Sequence, residues 1–102
     1  MVFEKLKLSG KTILITGAGT GLGREMALAL SNAGANLVIA ARREKLINEV
    51  SEIIKERGNR AIAISTDLTD SKQVGLLVQT ALDQFKSIDV LINNAGIVRG
   101  HG

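Results

Sequence analysis

The chain has no cysteine, tryptophan, tyrosine or proline, and only two phenylalanines and one histidine. Without cysteine there is no disulfide framework, no thiolate nucleophile and no cysteine-ligated zinc or iron–sulfur site. Nothing argues for an oxidising compartment, so the expected location is the cytoplasm, and no metal is expected. Two aromatic side chains are too few for the stacking platforms that read single-stranded nucleic acid. The excess of positive charge is only +3. Lys5, Lys7 and Lys11 lie near the start, Arg42 and Arg43 form one pair, and the remaining basic residues are interleaved with Glu and Asp. No basic face results, and no nucleic-acid partner is expected. Long apolar runs are missing too: none nears the roughly 20 residues of a membrane helix, and residues 1–7 do not open an export signal. What is present, 102 residues at 45% hydrophobic and 23% charged, fits one soluble domain.

Four short apolar runs, residues 12–16, 36–40, 61–65 and 88–93, read as strands and alternate with longer stretches of helical periodicity. The first two strands lack polar alternation, as strands covered on both faces do. Leu22, Met26, Ala29, Leu30 and Ala33 predict one apolar stripe on a helix over about residues 21–33, ended by Gly34. Leu46, Val50, Ile53 and Ile54 predict the inner face of a second helix over about 43–57, with Gly58 as a left-handed cap. A third helix opens at residues 69–73, where Asp70 and Gln73 have capping-box spacing. Val74, Leu77, Val78, Ala81, Leu82 and Phe85 predict its buried face. Strands and helices alternating through short connections make a parallel α/β sheet, because parallel neighbours need a crossover. A doubly wound order of 3-2-1-4 puts the first two helices on one face and the third on the other. It opens a ligand crevice beyond the carboxyl ends of strands 1 and 4.

Residues 16–23, Thr-Gly-Ala-Gly-Thr-Gly-Leu-Gly, close the first strand and open the first helix. Gly17 permits the sharp exit from the strand, Gly21 removes a Cβ where backbone approaches a diphosphate, and Gly23 lets helix and sheet pack closely. Free N–H groups at the helix start would hold the negative oxygens. The spacing differs from Gly-x-Gly-x-x-Gly, and no Lys with Ser or Thr follows, so a P-loop hydrolase is disfavoured. A tight turn with glycines for packing alone is the plainer alternative. A phospho-acceptor module of flavodoxin-like or response-regulator type would need acids at the end of the first strand, where Thr16 and Gly17 stand.

Taken with Asn93-Asn94-Ala95-Gly96 at the end of the fourth strand, the glycine motif closely resembles the short-chain dehydrogenase/reductase family. Thr-Gly-x-x-x-Gly-x-Gly and Asn-Asn-Ala-Gly are that family's two N-terminal signatures, and both are complete. Leu8-Ser9-Gly10-Lys11 and Asp67-Leu68 are similar to it as well, so the resemblance extends over about residues 6 to 99. It implies a doubly wound, Rossmann-type three-layer sandwich. It further implies that Gly17, Gly21 and Gly23 line the pyrophosphate, with Thr20 and Leu22 in the same loop. Asp67 would accept from the adenine amino group while Leu68 offers backbone, and Asn93, Ala95 and Gly96 would border the adenine ribose. The residues also allow plainer roles: Asp67 as an acid at a helix start, Asn93-Asn94 as ties at a turn.

An NAD-preferring fold ends its second strand with an acid on the ribose hydroxyls. Here Ala40-Ala41-Arg42-Arg43 stands there, with no carboxylate to repel a 2′-phosphate and two guanidiniums able to bind one. NADP(H) is therefore expected over NAD(H), with Arg42 the principal contact, against the alternative of a solvated, cationic helix start. By the resemblance, catalysis needs a serine and a Tyr-x-x-x-Lys segment beyond the fourth strand, and none of the residues present replaces them. His101 lies two residues from the end and reads as frayed terminus rather than base. The expectation is that residues 1–102 form one incomplete dinucleotide-binding domain, the N-terminal half of a reductase that interconverts an alcohol and a ketone. Such a half, ending after strand 4 with an open apolar edge, would bind the dinucleotide without turnover. The full-length enzyme would take a small carbonyl or alcohol substrate and form a homo-oligomer. A non-enzymatic dinucleotide sensor or interaction module is the alternative.

Overall fold

The structure, a computed structural model, describes residues 8–94. β1 (Thr12–Thr16) and β2 (Asn36–Ala41) form from the uninterrupted apolar runs, and every residue of β1 is buried. A strand covered on both faces belongs at the centre of a sheet. β3 (Ala61–Ser65) and β4 (Val90–Asn93) accordingly flank the pair, in the order β3-β2-β1-β4. All pairings are parallel, with Ile13 opposite both Leu37 and Val90, and Leu37 opposite Ala61. The crossovers are α1 (Gly21–Asn32), α2 (Glu44–Glu56) and α3 (Ser71–Phe85).

Successive residues of the central strands feed opposite cores. Ile13, Ile15, Leu37 and Ile39 pack with Ala27 and Leu30 of α1 and with Ile47, Val50 and Ile54 of α2. Leu14, Val38 and Ala40 pack with Leu77 and Ala81 of α3. The chain is thus a three-layer, doubly wound α/β sandwich with the strand order the sequence predicts. Gly34 and Gly58, with φ of +103° and +85°, follow the ends of α1 and α2 as left-handed caps.

The helical faces differ from the predicted stripes. On α1 the buried residues are Gly23, Ala27, Leu30 and Ser31, whereas Leu22 is 69% exposed. A Cβ at Gly23 would stand 2.3 Å from the Gly17 carbonyl oxygen, so the first turn of the helix approaches the sheet through glycine and Leu22 falls to the side. On α2, Ile47 and Ser51 are buried with Val50 and Ile54, while Leu46 and Ile53 lie half-buried at the margins. On α3 only Leu77 and Ala81 are buried, and Leu82 is exposed. Val90 and Leu91 of β4, the edge strand on the side of β1, are exposed too.

One boundary and one capping pair also differ. β4 starts at Val90 rather than Ile88 because Asp89 clamps the start of β1 instead of extending the ladder. Its Oδ2 accepts from the Thr12 N–H at 2.8 Å, and its N–H donates to the Thr12 carbonyl at 2.8 Å. At the start of α3, Asp70 is the N-cap, accepting from the Lys72 N–H at 3.0 Å. Gln73 does not close the reciprocal box, because the Asp70 N–H is already given to the Asp67 carbonyl at 3.0 Å. Its amide instead donates to Asp70 Oδ2 at 3.2 Å and accepts from the Asp67 N–H at 2.8 Å.

Candidate functional site

The chain leaves β1 at Gly17 with φ +70°, its N–H held by the Ala40 carbonyl at 2.9 Å. Thr20 is the N-cap of α1 but makes no side-chain cap. Intrahelical bonding begins with the Arg24 N–H on the Thr20 carbonyl at 3.3 Å, so the N–H groups of Gly21, Leu22 and Gly23 have no acceptor among the described residues. These uncapped donors are what an anion needs at a helix start. Gly21 has φ +58°, and a Cβ there would meet nothing within 4 Å. Backbone conformation requires that glycine, and the space over it is open.

Gly23 is glycine for the opposite reason. A Cβ would lie 2.3 Å from the Gly17 oxygen and 2.6 Å from Asn94 Nδ2. Asn94 Nδ2 donates to that same oxygen at 3.1 Å, and Thr16 Oγ1 donates to Asn93 Oδ1 at 3.0 Å. The two asparagines at the end of β4 therefore fasten the glycine turn to the sheet. Asn94 was not among the residues expected to contact the cofactor, but its bond fits the plainer expectation of Asn93-Asn94 as ties at a turn.

A cleft of about 520 Å³ opens beside the turn, lined by Gly17, Gly19 and Thr20, by Ala41, Arg42, Arg43 and Leu46, and by Thr66, Asp67, Leu68 and Thr69. It lies over the carboxyl ends of β1, β2 and β3. The structure thus brings Gly17, Thr20, Arg42, Arg43, Asp67 and Leu68 around one cavity. Gly21, Leu22 and Gly23 start the adjacent α1, and Asn93 sits at the end of β4. Ala95 and Gly96 lie outside the described residues. Gly19, given no role from sequence, keeps α2 close: its Cβ would be 3.0 Å from Leu46 Cβ.

Arg42 and Arg43 follow β2 directly and are both exposed. The main chain there is stitched across the sheet, with Ser65 Oγ donating to the Arg42 carbonyl at 3.1 Å and the Thr66 N–H to the Ala41 carbonyl at 2.9 Å. Across the cleft, Asp67 Oδ1 accepts from Thr69 Oγ1 at 2.6 Å and from the Thr69 N–H at 2.9 Å. The Thr69 hydroxyl chiefly, then its N–H, hold the Asp67 carboxyl below the usual carboxylate range against some desolvation, and the Arg42 charge adds to this. Among the described residues no cluster of side chains could hold a metal ion, and no helix is long and apolar enough to cross a membrane.

A parallel sheet wound both ways, with an uncapped glycine turn at its first strand and a cationic cleft beside it, defines a dinucleotide-binding class of fold. The sequence pattern of the short chain dehydrogenase family matches residues 11–102, and the chain belongs to that family. It is 39% identical to the short chain dehydrogenase/reductase astE of Aspergillus oryzae, over 92% of this chain and 36% of that protein. Its fold matches the crystal structure of hydroxysteroid dehydrogenase from Escherichia coli with a TM-score of 0.86 at 35% identity, covering 91% of this chain and 40% of that one. A 7 alpha-hydroxysteroid dehydrogenase complexed with NADH and 7-oxo glycochenodeoxycholic acid matches with a TM-score of 0.82 at 33% identity, over 86% of this chain and 34% of that one. The chain spans a little over a third of the length of the first curated relatives.

Proposed function

We propose that these residues form the NADP(H)-binding part of a short-chain oxidoreductase that interconverts an alcohol and a ketone. The observation that carries the cofactor reading is the cleft itself, where the glycine turn and the Arg42–Arg43 pair share one cavity. No carboxylate stands at the end of β2 to repel a 2′-phosphate. In this reading Gly17, Thr20, Gly21 and Leu22 present backbone to the pyrophosphate, and Gly23 acts by close packing. Arg42 and Arg43 take the 2′-phosphate, Asp67 and Leu68 the adenine, and Asn93, with Ala95 and Gly96 beyond the described residues, the ribose side. Bound there, the nicotinamide group supplies or accepts a hydride. With no tyrosine in the sequence, these 102 residues bind the dinucleotide and do not turn over a carbonyl substrate by themselves.

Titration of the purified chain with NADPH and NADH, followed by nicotinamide fluorescence, tests the reading. NADPH should bind at least about tenfold more tightly, and Arg42→Ala should remove about that factor for NADPH while leaving NADH unchanged. Equal or tighter binding of NADH overturns the NADP(H) assignment. Carbonyl-dependent NADPH oxidation by the chain alone overturns the absence of turnover.

A further inference from the structure

Asp67 Oδ1 receives two hydrogen bonds from a single residue, the Thr69 N–H at 2.9 Å and Oγ1 at 2.6 Å. The start of α3 does not depend on them. Asp70 caps the helix, and the Asp67 N–H and carbonyl are engaged by Gln73 and Asp70. What the two bonds do is fix one carboxylate oxygen and so the rotamer of the whole group. Oδ2 makes no hydrogen bond among the described residues, and neither does the neighbouring Leu68 N–H. Asp67, Leu68 and Thr69 all line the cleft. A fixed acceptor beside an open donor matches a base edge that offers a donor next to an acceptor. A 6-aminopurine has that edge, while a 6-oxopurine reverses it and sets a carbonyl against the carboxylate. Because the Thr69 bonds hold the carboxyl below its usual range, it stays an acceptor and does not adapt by taking up a proton.

We propose that Thr69 is a positioning residue for base selection: by holding Oδ1 of Asp67 it reserves Oδ2 for the amino group of a 6-aminopurine and so disfavours a 6-oxopurine. This rests on the dinucleotide reading above. In that reading the Thr69 side chain acts on the base through Asp67, so its removal should change which base is bound, not whether a dinucleotide is bound.

The test compares NADPH with reduced nicotinamide hypoxanthine dinucleotide phosphate, its 6-oxopurine analogue, on the chain and on Thr69→Val and Thr69→Ser. With no tryptophan or tyrosine, the chain leaves nicotinamide fluorescence clear. The unaltered chain should prefer NADPH by about tenfold, in line with a hydrogen-bond pattern reversed at the base edge. Thr69→Val should lose about fivefold for NADPH, the worth of one hydrogen bond, with the analogue within about twofold, and Thr69→Ser should restore the preference. A ratio of two affinities does not depend on the fraction of chain folded, so partial unfolding of a variant does not mask the result. If the unaltered chain binds neither compound, the dinucleotide reading fails and takes the inference with it. If it binds both equally, or if Thr69→Val weakens both in proportion, the role of Thr69 is overturned while the dinucleotide reading stands.

Discussion

Gly21 and Gly23 sit two residues apart in one motif and are glycine for different physical reasons, one of backbone dihedral and one of contact. At Gly23 the obstructing atom is a backbone oxygen 2.3 Å from where a Cβ would be, and backbone cannot swing aside as a side chain can. Gly23→Ala should therefore cost about 1–3 kcal/mol, as overpacking does, and should displace the turn enough to weaken NADPH binding. Denaturant unfolding and the fluorescence titration check the two effects separately. Thr12 carries a different misfit: it is fully buried at the start of β1, and its Oγ1 has no hydrogen-bond partner among the described residues. Thr12→Val keeps the shape and removes an unsatisfied hydroxyl, so it should raise stability by about 1 kcal/mol, read as a higher midpoint of unfolding. Both glycines were legible in the sequence from the spacing of the motif and its place between a strand and a helix. The orphaned hydroxyl was not, since it depends on what surrounds the start of β1 in space.

At the scale of elements, the amphipathic patterns located all three helices but not all the residues they bury. On α1 the predicted stripe through Leu22 gave way to the one through Gly23 and Ala27, because a contact decided which small face lies against the sheet. On α3 the cap residue was legible and its partner was not. Asp70 caps as predicted, whereas Gln73 turns to Asp67. Asp70→Ala should cost about 1 kcal/mol, the ordinary worth of an N-cap, measurable by thermal unfolding. Gly75 lies inside α3, and a Cβ added to it would meet nothing within 4 Å. Gly75→Ala should accordingly gain about 0.5–1 kcal/mol through backbone entropy.

For the whole molecule, the two ends of the sheet carry opposite tasks, and each has a carboxylate. At the amino end, Asp89 joins β1 to the start of β4. Its carboxyl is held below the usual range chiefly by the Thr12 N–H, with Ser87 and the Lys11 charge adding and desolvation opposing. A group whose folded pKa is depressed gives stability that is complete above its unfolded value, about 3.9, and is lost as pH falls through the lower folded value. Asp67 at the carboxyl end has the same sign. The chain should therefore lose stability in acid below about pH 4. Asp89→Asn should lower stability at neutral pH and flatten that acid limb, as followed by circular dichroism across a pH series. The sequence by itself determined the parallel alternation and the glycine turn, because apolar period and dihedral freedom are set by short stretches of chain. Only the tertiary structure decided where the cleft lies. The Asn94 amide ties the end of β4 to the Gly17 carbonyl, 77 residues away in the chain, and a cleft opens over β1, β2 and β3, because contacts between distant residues set both.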